Sequence, residues 1–248
     1  MWHVGKVIER TDWNSRLFSL KIAVDIGPFI AGQFVKLGME IQGKRVARAY
    51  SVVNAPGSNY IEILAVTVPD GSLSPALHLL LPGDVVEVNV PATGFLTLPE
   101  LPSGTLQGRH LWMLATGTAV GPFLSMLDTA EPWQRFEQVT LVYGARLVDD
   151  LAYLDKLQTL ARKNTQFCLL PSVTRETQSG MLHCRIPDGI ASGEIERQAG
   201  ITITATDSQV MLCGNPGMIR STIELLTARG LHKNLRRAPG QITTEKYW

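Results

Sequence analysis

The spacing of apolar residues changes once along the chain, near residue 100, and this change limits the folds that the sequence can adopt. Before residue 100, short segments of alternating apolar residues are separated by turn-forming residues. The segments are residues 3–9, 16–24, 33–41, 46–53, 60–68 and 84–90. The turn-forming pairs include Gly27 with Pro28, Pro56 with Gly57, Asp70 with Gly71 and Pro82 with Gly83. This regular spacing predicts an antiparallel barrel or sandwich.

Beyond the segment 98–104, short apolar runs alternate with amphipathic helical segments. Three such pairs are residues 109–115 with 121–130, residues 138–145 with 151–163, and residues 208–214 with 216–230. This alternation predicts a parallel sheet with helices on both faces. We therefore expect two domains, residues 1–100 and residues 101–248.

One segment of the first half departs from the strand pattern. In "SPALHLLL", residues 74–81, Ser74 is a plausible N-cap and Pro75 suits the first helical position. Good helix formers follow, so the sequence predicts a short helix here.

Charge and hydropathy exclude several classes of partner. The chain has 23 basic and 22 acidic residues, a formal net charge of +1, so we expect no nucleic-acid partner. Its first residues lack the pattern of a secretion signal, and no apolar run approaches the ~20 residues that span a bilayer. We therefore expect a cytoplasmic protein without a membrane partner.

The three cysteines do not form a recognisable metal or disulfide pattern. Cys168, Cys184 and Cys213 are widely spaced, with no C-x-x-C motif. Their number also excludes an all-cysteine set of four ligands for an iron–sulfur cluster. We expect no metal site, and any such cluster would belong to a partner.

Small residues follow two of the predicted parallel strands. Residues 115–123, "ATGTAVGPF", and residues 212–218, "LCGNPGM", each join a strand to a helix that Pro122 or Pro216 opens. Ligands of parallel sheets bind beyond the carboxyl ends of the strands, where helix N-termini attract anions. Such a turn is as often a structural connection, so this pattern alone does not decide between the two.

A third strand end carries an arginine. NAD-binding units usually present an acidic residue to the ribose there, whereas "LVYGAR" ends in Arg146. Arg175 and Arg185 follow later and can join it, because a guanidinium matches phosphate geometry. Each arginine alone is typical of a solvated surface charge, but together they favour NADP over NAD.

In the first half, Arg48 and the turn at residues 70–75, "DGSLSP", predict a second anion site. Tyr50 offers a flat face close to Arg48 in the sequence. A diphosphate clamp beside an aromatic plane suits a dinucleotide such as FAD. The alternative is a core tyrosine and an arginine paired with a carboxylate.

Taken together, these motifs resemble the bacterial ferredoxin–NADP reductases. The matching segments are "RAYS" at 48–51, "GSLS" at 71–74, "ATGTAVGPF" at 115–123, "CGNPGM" at 213–218 and the terminal "YW". The resemblance implies a six-stranded antiparallel FAD-binding β-barrel followed by an α/β parallel-sheet NADP-binding domain. It also implies electron exchange between NADPH and a one-electron carrier, ferredoxin or flavodoxin.

The resemblance implies a role for several residues toward FAD. Arg48 would hold the pyrophosphate, Tyr50 would stack on the isoalloxazine ring, and Ser51 would approach flavin N5. Leu73 and Ser74 would complete the phosphate clamp. The other predicted FAD contacts are Ala49, Val66, Thr67, Gly71 and Thr116, with Thr116 where the two domains meet.

For NADP, the resemblance assigns the 2′-phosphate to the same three arginines, Arg146, Arg175 and Arg185. The other predicted NADP contacts are Gly117, Gly214 and Asn215.

The C-terminus carries two aromatic candidates. Plant-type relatives end in Glu-x-Tyr, whose tyrosine covers the flavin, and Glu245 and Tyr247 have this spacing. In the bacterial type a terminal aromatic stacks on the FAD adenine, and Trp248 is the candidate. Both are predicted FAD contacts, and which of them covers the flavin stays open.

Ser51, Cys213 and Tyr50 are the predicted catalytic residues. Ser51 can hydrogen-bond N5 and relay a proton, while Cys213 would pack against nicotinamide. Basic residues could steer an acidic carrier to a protein that we expect to be a monomer. They are Lys44, Arg45, Lys233, Arg236 and Arg237.

Two other functions fit part of the pattern. An NADPH-dependent flavin reductase, or the reductase component of an oxygenase, would share both domains. A non-catalytic nucleotide-binding scaffold would share them too, although the presence of Arg48, Tyr50 and Ser51 argues against it.

Overall fold

The computed structural model describes residues 1–104 and 107–246. The chain forms two compact units. The first contains Met1–Thr97 and Gly121–Thr129, and the second contains Leu98–Val120 and the described residues from Ala130 onward. Among the described residues, no helix has the length and apolar character that crossing a membrane requires. The predicted domain boundary near residue 100 stays a prediction.

The first unit is built on six antiparallel strands. They are β1 (Trp2–Asp12), β2 (Leu17–Ala23), β3 (Phe34–Ile41), β4 (Lys44–Ser51), β5 (Tyr60–Val66) and β6 (Val85–Thr93). Their order in the sheet is β4-β3-β6-β1-β2-β5. Just after β4, the Val53 N–H donates to the Glu62 carbonyl of β5 at 2.8 Å, so the two outer strands meet. The prediction of a six-stranded antiparallel sheet is confirmed.

Alternating side chains explain why these segments form a curved sheet around one core. In β6, Val86, Val88 and Val90 are buried, while Val85 is exposed. Side chains of a strand alternate between its faces, so a period of two places one set in the core. Phe18 and Leu20 of β2 are fully buried in the same core.

The short helix α1 (Ser74–His78) lies where the sequence predicted it but is shorter, with five residues. The prediction that Ser74 is its N-cap was wrong, because Leu73 occupies that position and Ser74 is the first helical residue. The Ser74 hydroxyl instead accepts a hydrogen bond from the Val68 N–H at 3.0 Å. This bond holds the turn that precedes the helix.

A second helix, α2 (Gly121–Leu127), belongs to the first unit although it comes later in the chain. All of its residues are buried. The Ser125 hydroxyl donates to the Asn54 carbonyl at 2.8 Å, which fixes the helix to the loop between β4 and β5.

The second unit contains a five-stranded parallel sheet. Its strands are β7 (His110–Thr116), β8 (Gln138–Ala145), β9 (Phe167–Val173), β10 (Ser208–Gly214) and β11 (Ile242–Lys246), in the order β11-β10-β7-β8-β9. The helices are α3 (Glu131–Arg135), α4 (Leu154–Lys163), α5 (Ile186–Ala191), α6 (Glu194–Ala199) and α7 (Pro216–Ala228). The predicted α/β parallel-sheet fold is confirmed.

The sequence pattern did not single out β9 and β11, which are the two edge strands. Pro171 interrupts β9, and such a residue is tolerated at an edge because its missing N–H is not needed by a neighbour. The strand β11, "ITTEK", is polar at its second half. The strand β11 therefore lacks a continuous apolar run, and the apolar run of β9 is only its first four residues, because Pro171 and Ser172 follow.

Candidate functional site

The end of β4 places three of the predicted site residues in different surroundings. Pairing with β3 is regular up to Phe34 and Ser51. Arg48 is exposed, whereas Tyr50 and Ser51 are buried. The strand ends at Ser51, and the side chains of its last two residues, Tyr50 and Ser51, are both buried and do not alternate between a buried and an exposed face. The Ser51 hydroxyl is buried and has no hydrogen-bond partner among the described residues.

Arg48 reaches the second part of the predicted anion site. Its Nη2 donates to the Ser72 hydroxyl at 3.1 Å, and its Nη1 donates to the Ala47 carbonyl at 2.7 Å. No carboxylate in residues 1–104 or 107–246 forms an ion pair with Arg48, so its charge is available to an anion. The structure thus brings Arg48 to the turn that contains Gly71, and Ser72 is a residue that the sequence reasoning missed.

Leu73 and Ser74, the predicted phosphate-clamp residues, also make contacts within the protein. Leu73 is buried in the core of the first unit. The Ser74 oxygen accepts from the Val68 amide, which leaves its hydroxyl hydrogen to donate. Any contact of Leu73 with a phosphate would therefore be made by its backbone.

A second buried hydroxyl lies at the end of β5. Thr67 Oγ1 is buried and, like Ser51 Oγ, has no hydrogen-bond partner within the part of the chain that is described. Leaving a buried polar group unsatisfied costs about 1–3 kcal/mol. Two such hydroxyls at predicted FAD contacts fit a polar ligand that would supply their partners.

Tyr50 belongs to the core of the first unit, as the alternative interpretation of this residue predicted. Burial raises the pKa of Tyr50 to about 12, with a smaller opposing effect of the Arg48 charge. The phenol therefore stays neutral at physiological pH. Tyr50 therefore offers an uncharged aromatic ring near the positive charge of Arg48.

In the second unit, Thr116 holds the loop that follows β10. Its hydroxyl accepts a hydrogen bond from the Asn215 N–H at 2.9 Å. A Cβ atom at Gly214 would lie 2.1 Å from this hydroxyl, and Gly214 has a φ of +138°. Only glycine can therefore occupy position 214 without displacing Thr116.

Asn215 caps helix α7. Its side chain accepts hydrogen bonds from the N–H groups of Gly217 at 2.8 Å and Met218 at 3.2 Å. The Asn215 side-chain oxygen is therefore already used by the helix. Gly117 opens the other loop with a φ of +58°, and a Cβ there would meet nothing within 4 Å.

Cys213 lies beside Glu245 in adjacent strands. The two residues pair in the register of β10 and β11. Burial, and to a lesser extent the Glu245 charge, raises the pKa of the fully buried Cys213 thiol well above its usual value. Burial also raises the pKa of Glu245 to about 7. The Cys213 thiol therefore stays protonated, and its contact with nicotinamide stays a prediction, while Glu245 can exchange a proton near neutral pH.

The three predicted phosphate-binding arginines are exposed and connected through backbone groups. Arg146 follows β8 and Arg175 follows β9, and the Arg175 N–H donates to the Arg146 carbonyl at 2.9 Å. Arg185 precedes α5, and the carbonyl of its neighbour Cys184 accepts from the Ser172 hydroxyl at 2.6 Å. Hydrogen bonds from residues at and just beyond the carboxyl end of β9 thus connect to the chain segments that carry all three arginines.

Two predicted FAD contacts, Tyr247 and Trp248, lie outside the described residues. Within the described ranges, no group of three or more His, Cys, Asp or Glu side chains could hold a metal ion.

Comparison with known proteins gives a match over the whole chain. Residues 6–96 match the family "Oxidoreductase FAD-binding domain", and residues 113–224 match "Oxidoreductase NAD-binding domain". The flavodoxin/ferredoxin–NADP reductase of Escherichia coli K12 is 47% identical over 249 residues, covering 100% of this chain and 99% of the relative. The chain belongs to the flavodoxin/ferredoxin–NADP reductase family. The resemblance found in the sequence motifs is confirmed.

Other members of the reductase family agree with this assignment. A ferredoxin–NADP reductase of Pseudomonas aeruginosa is 34% identical over 98% of this chain and 96% of its own. The crystal structure of a ferredoxin NADP⁺ reductase from Neisseria gonorrhoeae with bound FAD and NADP matches with a TM-score of 0.94. That structure is 31% identical and covers 100% of this chain and 99% of its own. Membership of the reductase family therefore rests on sequence and fold together, while the individual site residues stay predictions.

Proposed function

We propose that the chain is an FAD-dependent reductase that takes a hydride from NADPH and delivers electrons singly to a flavodoxin or ferredoxin. The full-length identity of 47% to the Escherichia coli flavodoxin/ferredoxin–NADP reductase carries this proposal. The buried hydroxyls of Ser51 and Thr67 support it independently, because they fit a polar cofactor in the first unit.

In this proposal, Arg48 and Ser72 bind the pyrophosphate of FAD. Their mutual hydrogen bond already orients the guanidinium toward the turn at residues 70–74. Tyr50 supplies a neutral aromatic surface, and Ser51 supplies a hydroxyl that forms no hydrogen bond with any residue of 1–104 or 107–246. Bound FAD accepts electrons in pairs and can release them one at a time, which is the chemistry that joins NADPH to a one-electron carrier.

NADPH binds the second unit. Arg146, Arg175 and Arg185 meet its 2′-phosphate, because bidentate guanidinium groups favour phosphate dianions. The Thr116 hydroxyl fixes the loop from Gly214 to Asn215 and thereby fixes the end of β10, where Cys213 is buried.

Proton exchange accompanies electron delivery, and two of the described residues can take part in it. The Ser51 hydroxyl can donate to an adjacent acceptor. Glu245, with a pKa of about 7, can gain or lose a proton near neutral pH. Because Cys213 stays a thiol, it contributes packing and not nucleophilic chemistry.

Acidic electron carriers would be steered by exposed basic residues. Lys44, Lys233, Arg236 and Arg237 are exposed. Arg45 contributes less, because it forms a bidentate ion pair with Glu87 at 2.6 and 2.7 Å and also stacks over the Trp2 ring at 4.8 Å. We also infer that the protein acts in the cytoplasm as a monomer.

The test begins with colour. Purified protein should show flavin absorbance that NADPH bleaches faster than NADH. Colourless protein that binds no FAD would contradict the proposal and favour a non-catalytic nucleotide-binding scaffold.

A further inference from the structure

The loops that carry Arg146 and Arg175 are joined beyond the ends of their strands. The pairing of β8 with β9 runs to Ala145 and Val173. After it, the Thr174 hydroxyl donates to the Ala145 carbonyl at 3.4 Å, and the Arg175 N–H donates to the Arg146 carbonyl at 2.9 Å. The two arginines therefore leave the sheet as backbone neighbours.

One more bond continues this connection, and a side chain supplies it. The Val148 N–H donates to Oε1 of Glu176. Val148 is the first residue of a short 3₁₀-helix, Val148–Asp150, and its N-cap residue is Leu147. Leucine has no side-chain acceptor, so Glu176 supplies the cap that the local sequence lacks. A carboxylate suits this position because a hydrogen bond from a backbone N–H to an ionised acceptor is stronger than one to a neutral acceptor.

Two hydrogen bonds therefore restrain the segment that carries Arg146. The carbonyl of Arg146 accepts from Arg175, and two residues later Val148 donates to Glu176. Glu176 directly follows Arg175, so both bonds come from the same short stretch of chain. Movement of one arginine away from the other would break one of them.

The negative charge of Glu176 is unexpected so close to a predicted phosphate-binding site. An exposed carboxylate beside a predicted phosphate site should repel the phosphate. The Val148 N–H stabilises the carboxylate oxygen that accepts it, but the negative charge of Glu176 remains. A role in holding the Arg146 loop would explain why a carboxylate is kept here despite this repulsion.

We propose that Glu176 is a positioning residue for the 2′-phosphate of NADPH. It fixes the Arg146 loop beside Arg175, so that both guanidinium groups address the same phosphate without first being ordered by it. This inference rests on the proposed NADPH-binding function and adds a residue that selects for the phosphorylated coenzyme.

The experiment measures binding of 2′-phospho-AMP and of AMP to the FAD-loaded enzyme by isothermal titration calorimetry. Glu176→Ala should weaken 2′-phospho-AMP binding about tenfold, because a hydrogen bond to a charged group is lost, and should leave AMP binding unchanged. Glu176→Gln keeps an oxygen acceptor and should restore most of the affinity. Glu176→Asp keeps the charge but is one methylene too short, so it should behave as the alanine variant does.

In steady-state kinetics, Glu176→Ala should raise KM for NADPH while kcat changes little. Glu224→Gln, on the exposed side of α7, removes one carboxylate elsewhere in the same unit and serves as the matched control. It should behave as the wild type in every assay.

Three outcomes would overturn the inference. One is unchanged 2′-phospho-AMP affinity in Glu176→Ala. Another is equal weakening of AMP and 2′-phospho-AMP, which a general loss of structure would cause. The third is tighter phosphate binding in both the alanine and glutamine variants, which would make Glu176 a source of repulsion. If instead the wild type itself does not prefer 2′-phospho-AMP to AMP, the proposed NADPH-binding function fails, whatever the variants do.

Discussion

The partly buried carboxyl group of Glu245 should make the stability of the protein depend on pH near neutrality. Burial raises its pKa from 4.5 to about 7 in the folded state. The folded state therefore binds the proton more tightly than the unfolded state does. The resulting stability is fully present below about pH 4.5 and is lost as the pH rises through about 7.

The size of the effect follows from the two pKa values. A shift of one unit corresponds to about 1.4 kcal/mol, so a shift from 4.5 to about 7 costs at most about 3 kcal/mol at alkaline pH. Glu245 is only half-buried, and solvent screening reduces this limit. We expect Glu245→Gln to lose this dependence, so its stability relative to wild type should rise by about 2 kcal/mol between pH 5 and pH 8.

Denaturant unfolding at pH 5, 6, 7 and 8 measures this difference in free energy of unfolding. Glu224→Gln is the control, since Glu224 is exposed and its replacement should leave the pH profile parallel to that of wild type. Parallel profiles for Glu245→Gln and wild type would contradict the raised pKa of Glu245, because Glu245 would then titrate alike in the folded and unfolded states.

Four further changes test the site. Ser51→Ala should lower the rate of flavin reduction by NADPH about tenfold or more with unchanged NADPH affinity, as measured by stopped flow, because the hydroxyl that we propose to lie at the reacting ring is lost; an unchanged rate would remove Ser51 from the chemistry. Cys213→Ala should likewise slow single-turnover flavin reduction without changing NADPH affinity. If the reduction rate and the NADPH affinity fell by the same factor, Cys213 would have a purely structural role. Gly214→Ala should destabilise the protein by about 1–3 kcal/mol in thermal unfolding, because its Cβ would collide with Thr116 at 2.1 Å; an unchanged melting temperature would contradict this geometry. Electron delivery to an acidic carrier should slow steeply as salt rises, and a flat profile would argue against basic steering.

The sequence predicted the two-part architecture because each part has its own strong period. Alternation in segments such as residues 84–90 and short apolar runs such as residues 210–213 are local signals, and both lie in strands of the structure. The edge strands β9 and β11 were not identified, because an edge needs neither a continuous apolar run nor every backbone donor. The misplaced N-cap at Ser74 had a similar origin, since the hydrogen bond that engages its oxygen comes from Val68, outside the helix.

One part of the candidate site, the anion-binding pair of an arginine and a glycine-containing turn, could be predicted from residue type alone. Arg48 and the turn at Gly71 were expected to act together, and the structure brings them into contact through Ser72. The hydrogen bond between Glu176 and Val148 and the burial of Glu245 could not be predicted, because both depend on strands that are distant in sequence and adjacent in space. These contacts can be inferred only once the order of the strands in the parallel sheet is known.

Electron transfer from NADPH to a protein carrier can be followed in a single assay. Purified flavodoxin and ferredoxin are mixed separately with the enzyme and NADPH, and reduction of each carrier is followed by its absorbance. We expect NADPH-dependent reduction of at least one carrier, with NADH much less effective. Bleaching of the enzyme-bound flavin without reduction of either carrier, together with rapid reduction of free flavin, would contradict it and identify a flavin reductase.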